Sequence, residues 1–121
     1  MTRINAGVPP AELTGPHLLA EHREIKRVPN LIKKGKYSMV GQPSEFKMGA
    51  GHVKFFYDKL LYLEKRYKAL YEECLKRGYN VTNYLEAWQD VPKELYNDYT
   101  PTPEGIALIR ERIELRLSTK K

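Results

Sequence analysis

Apolar positions recur at helical spacing in three stretches of this chain, and nowhere do they alternate long enough to make a half-buried strand. The clearest stretch runs from 51 to 79. There Phe56, Leu60, Leu63, Tyr67, Leu70 and Cys74 follow one another at intervals of four, three, four, three and four, which puts them on one face of a helix. Gly78, just after Lys76 and Arg77, predicts its end, because glycine readily takes the left-handed turn that closes a helix. In the stretch 14–28, TGPHLLAEHREIKRV, Thr14 offers a capping oxygen, Pro16 is tolerated in the first turn and Pro29 follows the end. One helix of about four turns is predicted, with Leu18 and Ile25 turned inward. The last stretch opens with Thr102 as cap and Pro103 at the first helical position, then carries Ile106, Ile109, Ile113 and Leu117 at helical spacing.

The intervening residues lack a sustained period. Residues 29–48 mix Pro, Gly, Lys and Ser, and residues 79–100 are polar with scattered Tyr and one Trp, so both read as connections with at most short helical turns. The expected architecture is all-α: one compact domain over 1–121 in which three main helices bury one another's stripes. No apolar run approaches the roughly 20 residues of a membrane span. The N-terminus lacks the apolar stretch of a secretory signal, and a soluble, intracellular, cytoplasmic protein is expected. Asn80-Val81-Thr82 matches a glycosylation sequon but carries no weight without such a signal.

Composition narrows the chemistry. Cys74 is the only cysteine, which rules out an intramolecular disulfide and a Cys-rich zinc site and leaves a core thiol as its expected role. The formal charge is +6, from 21 Lys and Arg against 15 Asp and Glu, a balance that favours polyanions such as nucleic acid or an acidic membrane surface without choosing between them.

Two features point further. Thr2 follows the initiator methionine, and removal of Met1 before so small a residue exposes an α-amine. With an unperturbed pKa of about 7.7 to 8.0, against about 10.4 for lysine, that amine is in substantial part an uncharged nucleophile near neutral pH. The second feature is the charge pattern of the first helix. His17, Glu21, Glu24, Arg27 and Val28 fall within one broad face, Arg23 and Arg27 are four apart, and Glu24 and Arg27 are three apart. Such a pattern can be an ordinary solvated face with weak intrahelical ion pairs. It can equally be a basic groove that draws in phosphate, with one carboxylate placed to stabilise a cationic, sugar-like transition state.

Thr2-Arg3-Ile4-Asn5, His17-Leu18 with Ala20-Glu21, Arg23-Glu24-Ile25 with Arg27-Val28, GAGHV at 49–53 followed by FFYDKL, ECLKRG at 73–78, and DY with Pro101 together resemble the pyrimidine-dimer DNA glycosylase family of the phage endonuclease V type. The resemblance is collinear over most of the chain. It implies a compact three-helix protein whose N-terminal arm lies among the helices. It further implies an enzyme that is both DNA glycosylase and abasic-site lyase, acting on double-stranded DNA that carries a cyclobutane pyrimidine dimer. By that resemblance Thr2 is the nucleophile and Glu24 the carboxylate that stabilises positive charge at C1′ of the 5′ sugar. Arg3, His17, Arg23 and Arg27, with Arg112 and Arg116 of the last helix, match positions that meet DNA. The imine formed by the amine is itself the electron sink, so no metal or organic cofactor is implied; a monomer is expected.

The chain also departs from the family. It closes on Ser118-Thr119-Lys120-Lys121 where the best-known member carries a Trp- and Tyr-rich tail, so a broader lesion range is expected. Pro16 replaces a polar residue, and His22 stands where the family often has tyrosine; both are expected to retune DNA contacts. His52 is expected to cap or pin the second helix, and Trp88 to pack inside unless an exposed position lets it stand in for the tail. Two alternatives stay open: a non-catalytic basic helical module that binds DNA through Arg23, Arg27, Arg112 and Arg116, and the same chemistry on a different damaged base.

Overall fold

In the structure, a computed structural model, residues 3–35 and 37–118 are described, with side chains to residue 115. Among these residues there are helices and no strands: α1 (Gly15–Glu24), α2 (Arg27–Lys33), α3 (His52–Phe55), α4 (Leu60–Lys76) and α5 (Pro103–Ser118), with single 3-10 turns at Pro10–Glu12, Leu85–Trp88 and Lys93–Leu95. The all-α expectation holds, and the three predicted stretches are where the long helices lie.

Two of the three are broken. The stretch 14–28 divides at Ile25 and Lys26, and Pro29, expected beyond the helix end, lies inside α2 as its third residue. Proline has no N–H to donate back to Ile25, and its ring crowds the carbonyl four residues earlier. The Ile25 carbonyl accepts instead from Val28 N–H at 3.3 Å, one residue short of the α-helical pattern, and α2 begins after this turn. Val28, expected on the charged face, is thereby buried in the core. The second stretch divides between α3 and α4, where residues 56–59 interrupt the helix. Its apolar stripe nevertheless buries as a unit: Phe56, Leu60, Leu63, Tyr67, Leu70 and Cys74 are all in the core with Leu18 and Ile25, and α1 packs against α4.

The caps agree with the sequence. Thr14 Oγ1 accepts from His17 N–H at 3.5 Å and Thr102 Oγ1 from Gly105 N–H at 3.0 Å, contacts of a kind worth about 1 kcal/mol each. Trp88 and Cys74 are both buried. Trp88 leans on Tyr67 at 5.1 Å between ring centroids and so does not replace an exposed aromatic tail. His22 is buried too, its Nε2 3.2 Å from the Tyr67 hydroxyl and its ring among Tyr67, Tyr71 and Tyr84. That places the ring in the core, behind the surface on which the expected DNA contacts lie. Among the described residues no helix is long and apolar enough to cross a membrane.

Residues 3–9 run as an irregular arm with Ile4, Asn5, Ala6 and Val8 buried. Gly7 makes the close passage under α5 possible: its φ is +85°, and a Cβ there would lie 2.5 Å from Ile106 Cγ1 and 2.9 Å from Pro101 Cβ.

Candidate functional site

An open cleft of about 350 Å³ lies where the arm meets α1, lined by Arg3, Asn5, His17, Ala20, Glu21, Arg23 and Glu24. Three of the expected site residues on α1, His17, Arg23 and Glu24, come together here: positions 17, 20, 21 and 24 of a helix share one face, and Arg23 borders it. Arg3 joins them from the arm. Thr2 lies outside the described residues, one position before Arg3.

Glu24 is the last residue of α1 and only 16% exposed at its side chain. Arg23 Nη2 stands 3.3 Å from its Oε2, and Arg27 Nη1, across the helix break, 3.9 Å from its Oε1. The two arginine side chains are themselves 59% and 57% exposed. The arrangement is a shielded carboxylate edged by two cations that keep most of their surface exposed. His17 is oriented by the helix cap, its Nδ1 3.0 Å from Thr14 Oγ1. Arg112 is exposed on α5 and does not line the cleft, and the side chain of Arg116 lies outside the described residues. Among the described residues no group of three or more His, Cys, Asp or Glu is placed to hold a metal ion.

Glu21 departs from its expected place on a solvated face. Its carboxylate is buried in a two-point ion pair with Arg66 of α4, Arg66 Nε donating to Oε2 at 2.6 Å and Nη2 to Oε1 at 2.9 Å. Burial works against the Arg66 charge, but Glu21 more than offsets it and holds the guanidinium above its ordinary pKa. Both partners also hold the arm: Asn5 N–H donates to Glu21 Oε2 at 3.2 Å, Asn5 Nδ2 to Glu21 Oε1 at 2.7 Å, and Arg66 Nη1 to the Val8 carbonyl at 2.7 Å. Two more side chains do the same. Ile4 N–H donates to His52 Nε2 at 2.9 Å and Gly7 N–H to the Tyr62 hydroxyl at 3.1 Å. His52 Nδ1 lies 2.9 Å from the Lys47 carbonyl and must donate to it, so the ring is neutral, with its proton on Nδ1. Burial chiefly, with Arg3 adding to it, lowers the His52 pKa. The expectation that His52 pins its own helix gives way to a different role: it pins the arm.

Arg66, Tyr62 and His52 are not recognisable from sequence as a set, since they lie far from residue 5 along the chain. Arg66 does leave a signal. It falls three after Leu63 and four before Leu70, on the flank of the buried stripe, where an unpaired charge is costly. Asn5 Oδ1 is left buried without a partner. Residues 1–87, more than half of the chain, match the family model for pyrimidine dimer DNA glycosylase.

Proposed function

The chain belongs to the pyrimidine dimer DNA glycosylase family, and from that premise we propose that it excises the 5′ base of a cyclobutane pyrimidine dimer with the α-amine of Thr2, freed by removal of Met1, and then nicks the strand. The amine attacks C1′ and the bond from C1′ to the base breaks; the base takes up a proton and stays joined to its 3′ neighbour through the cyclobutane ring. Opening of the sugar ring gives an imine between residue 2 and C1′. Loss of a C2′ proton to a base then drives β-elimination, in which the C3′–O bond breaks and the 3′ phosphate departs with its electrons. Water finally hydrolyses the imine and returns the amine.

The observation that carries this reading is the shielded Glu24 carboxylate in the wall of a cleft to which Arg3, the neighbour of Thr2, also contributes. A fixed negative charge there favours the cationic C1′ of the transition state over the neutral ground state. Arg23 and Arg27 then serve on both sides: each steadies Glu24 and each offers exposed cationic surface to backbone phosphate. Arg3 and His17 extend that surface along the cleft, and Arg112 and Arg116 extend it onto α5. C1′ of a paired nucleotide is shielded, so the duplex must bend and expel a base at a cost of about a few kcal/mol, which cations on both sides of the bend offset.

Borohydride trapping on dimer-containing duplex, followed by mass mapping of the adduct, tests the reading. The adduct is expected on residue 2 of a chain lacking Met1. An adduct on a lysine, or full activity from a chain that keeps Met1, would overturn it.

A further inference from the structure

Residues 3–8 belong to neither helix nor strand, so no regular ladder satisfies their backbone groups. Side chains from three helices do so one by one: His52 of α3 takes Ile4 N–H, Glu21 of α1 takes Asn5 N–H, and Tyr62 and Arg66 of α4 take Gly7 N–H and the Val8 carbonyl. We infer that Glu21, Arg66 and His52 are positioning residues that fix the register of the arm leading to Thr2, acting through the arm backbone and touching no DNA. The inference rests on the reading of the Thr2 amine as nucleophile.

Stability alone does not account for the network. A buried ion pair is commonly no better for the fold than apolar residues of similar volume, because both charges lose their water. Apolar burial of Ile4, Ala6 and Val8 would hold the arm down, but such contacts are non-directional and leave its register loose. A two-point guanidinium–carboxylate pair whose remaining donors and acceptors grip Asn5 and Val8 supplies the direction that apolar contacts lack. The distances along the chain are short. Ile4 is two residues and Asn5 three from Thr2, and an extended chain advances roughly 3.3 to 3.6 Å per residue, so a one-residue slip moves the tip by about the full separation of a near-attack pair.

Two sets of variants test this. In Glu21→Leu with Arg66→Met both charges leave together, which spares the fold an unpaired buried charge. His52→Leu removes the Ile4 acceptor, while His52→Gln restores an acceptor for Ile4 and a donor for Lys47. Each is compared with the wild type by single-turnover base excision, affinity for dimer duplex, borohydride trapping at the N-terminus, and hydrogen exchange at Ile4, Asn5 and Gly7. The double variant is expected to lose protection at the arm amides and to lose about 10- to 100-fold in excision and trapping, with affinity changed less than about twofold. His52→Gln is expected to recover most of what His52→Leu loses. A folded double variant with unprotected arm amides and wild-type excision would overturn the inference. If the double variant does not fold, equal excision by both His52 variants and the wild type would overturn it instead. A wild-type adduct on a lysine defeats the amine reading first and the inference with it, whereas an adduct on residue 2 leaves the variants to judge the network alone.

Discussion

At Glu24 the arrangement makes charge and shape separable. Glu24→Gln keeps the size and loses the negative charge, so excision from a dimer duplex is expected to fall by about 100- to 1000-fold while binding survives. Nicking at a preformed abasic site is expected to persist in part, because an open aldehyde forms the imine without expelling a base; gel assays on the two duplexes separate these outcomes. Histidines 22 and 52 tie the fold to pH. Burial chiefly holds both below the ordinary value of 6.5, with Lys26 adding to it at His22 and Arg3 at His52, so each is neutral when folded and gains protons on unfolding. A depressed folded pKa contributes stability above the unfolded value and loses it as pH falls through the folded one. The urea midpoint is therefore expected to hold above pH 6.5 and to fall below it; a flat profile from about pH 7.5 to 5 would contradict the neutral pairing of His52 with Ile4 and Lys47.

The elements show why a periodic pattern names a buried face more reliably than it names a continuous helix. The stripe from Phe56 to Cys74 buries whole although residues 56–59 leave the helix, since Phe56 in that turn and the apolar residues of α4 enter the same core. Glu24 and Arg27 keep their i,i+3 pairing across the junction at Ile25 and Lys26, while Val28 is buried in the core. Docking of the arm under α5 is the tightest of these fits. Gly7→Ala combines a strained positive φ with a Cβ 2.5 Å from Ile106, and a loss of about 2 to 4 kcal/mol in denaturant unfolding is expected. The same variant is expected to slow excision more than it weakens DNA binding, because the arm and not the Arg surface is displaced.

Across the whole molecule, the charge of +6 is shared between a local cluster at the cleft and exposed cations elsewhere, Arg112 of α5 among them. Duplex affinity is expected to fall steeply with salt, and Arg23→Gln or Arg27→Gln to flatten the slope by roughly one unit for each phosphate left unneutralised. Arg112→Gln is expected to do likewise if bound DNA tracks from the cleft to α5, with excision chemistry unchanged because Arg112 does not line the cleft. Fluorescence anisotropy over a salt series measures each slope, and an affinity indifferent to salt would contradict a phosphate-gripping face.

The helical class, the buried stripe of α4, the caps at Thr14 and Thr102, the family and the cluster of Glu24 with Arg23 and Arg27 were legible along the chain, because each depends on residues within a turn or two of one another or on a collinear motif. The division of α1 from α2 was half legible: Pro29 announced an end, but whether a new helix starts before it depends on what the core does with Val28. The grip on the arm belongs to the tertiary structure alone. Glu21 reads as one more surface carboxylate until folding brings Arg66, 45 positions away, against it, and His52 meets Ile4 across 48 positions. Periodicity records which way a side chain faces relative to its own helix axis; it carries no record of which distant partner waits there, and burial makes that partner decisive by removing the water that would otherwise satisfy the group.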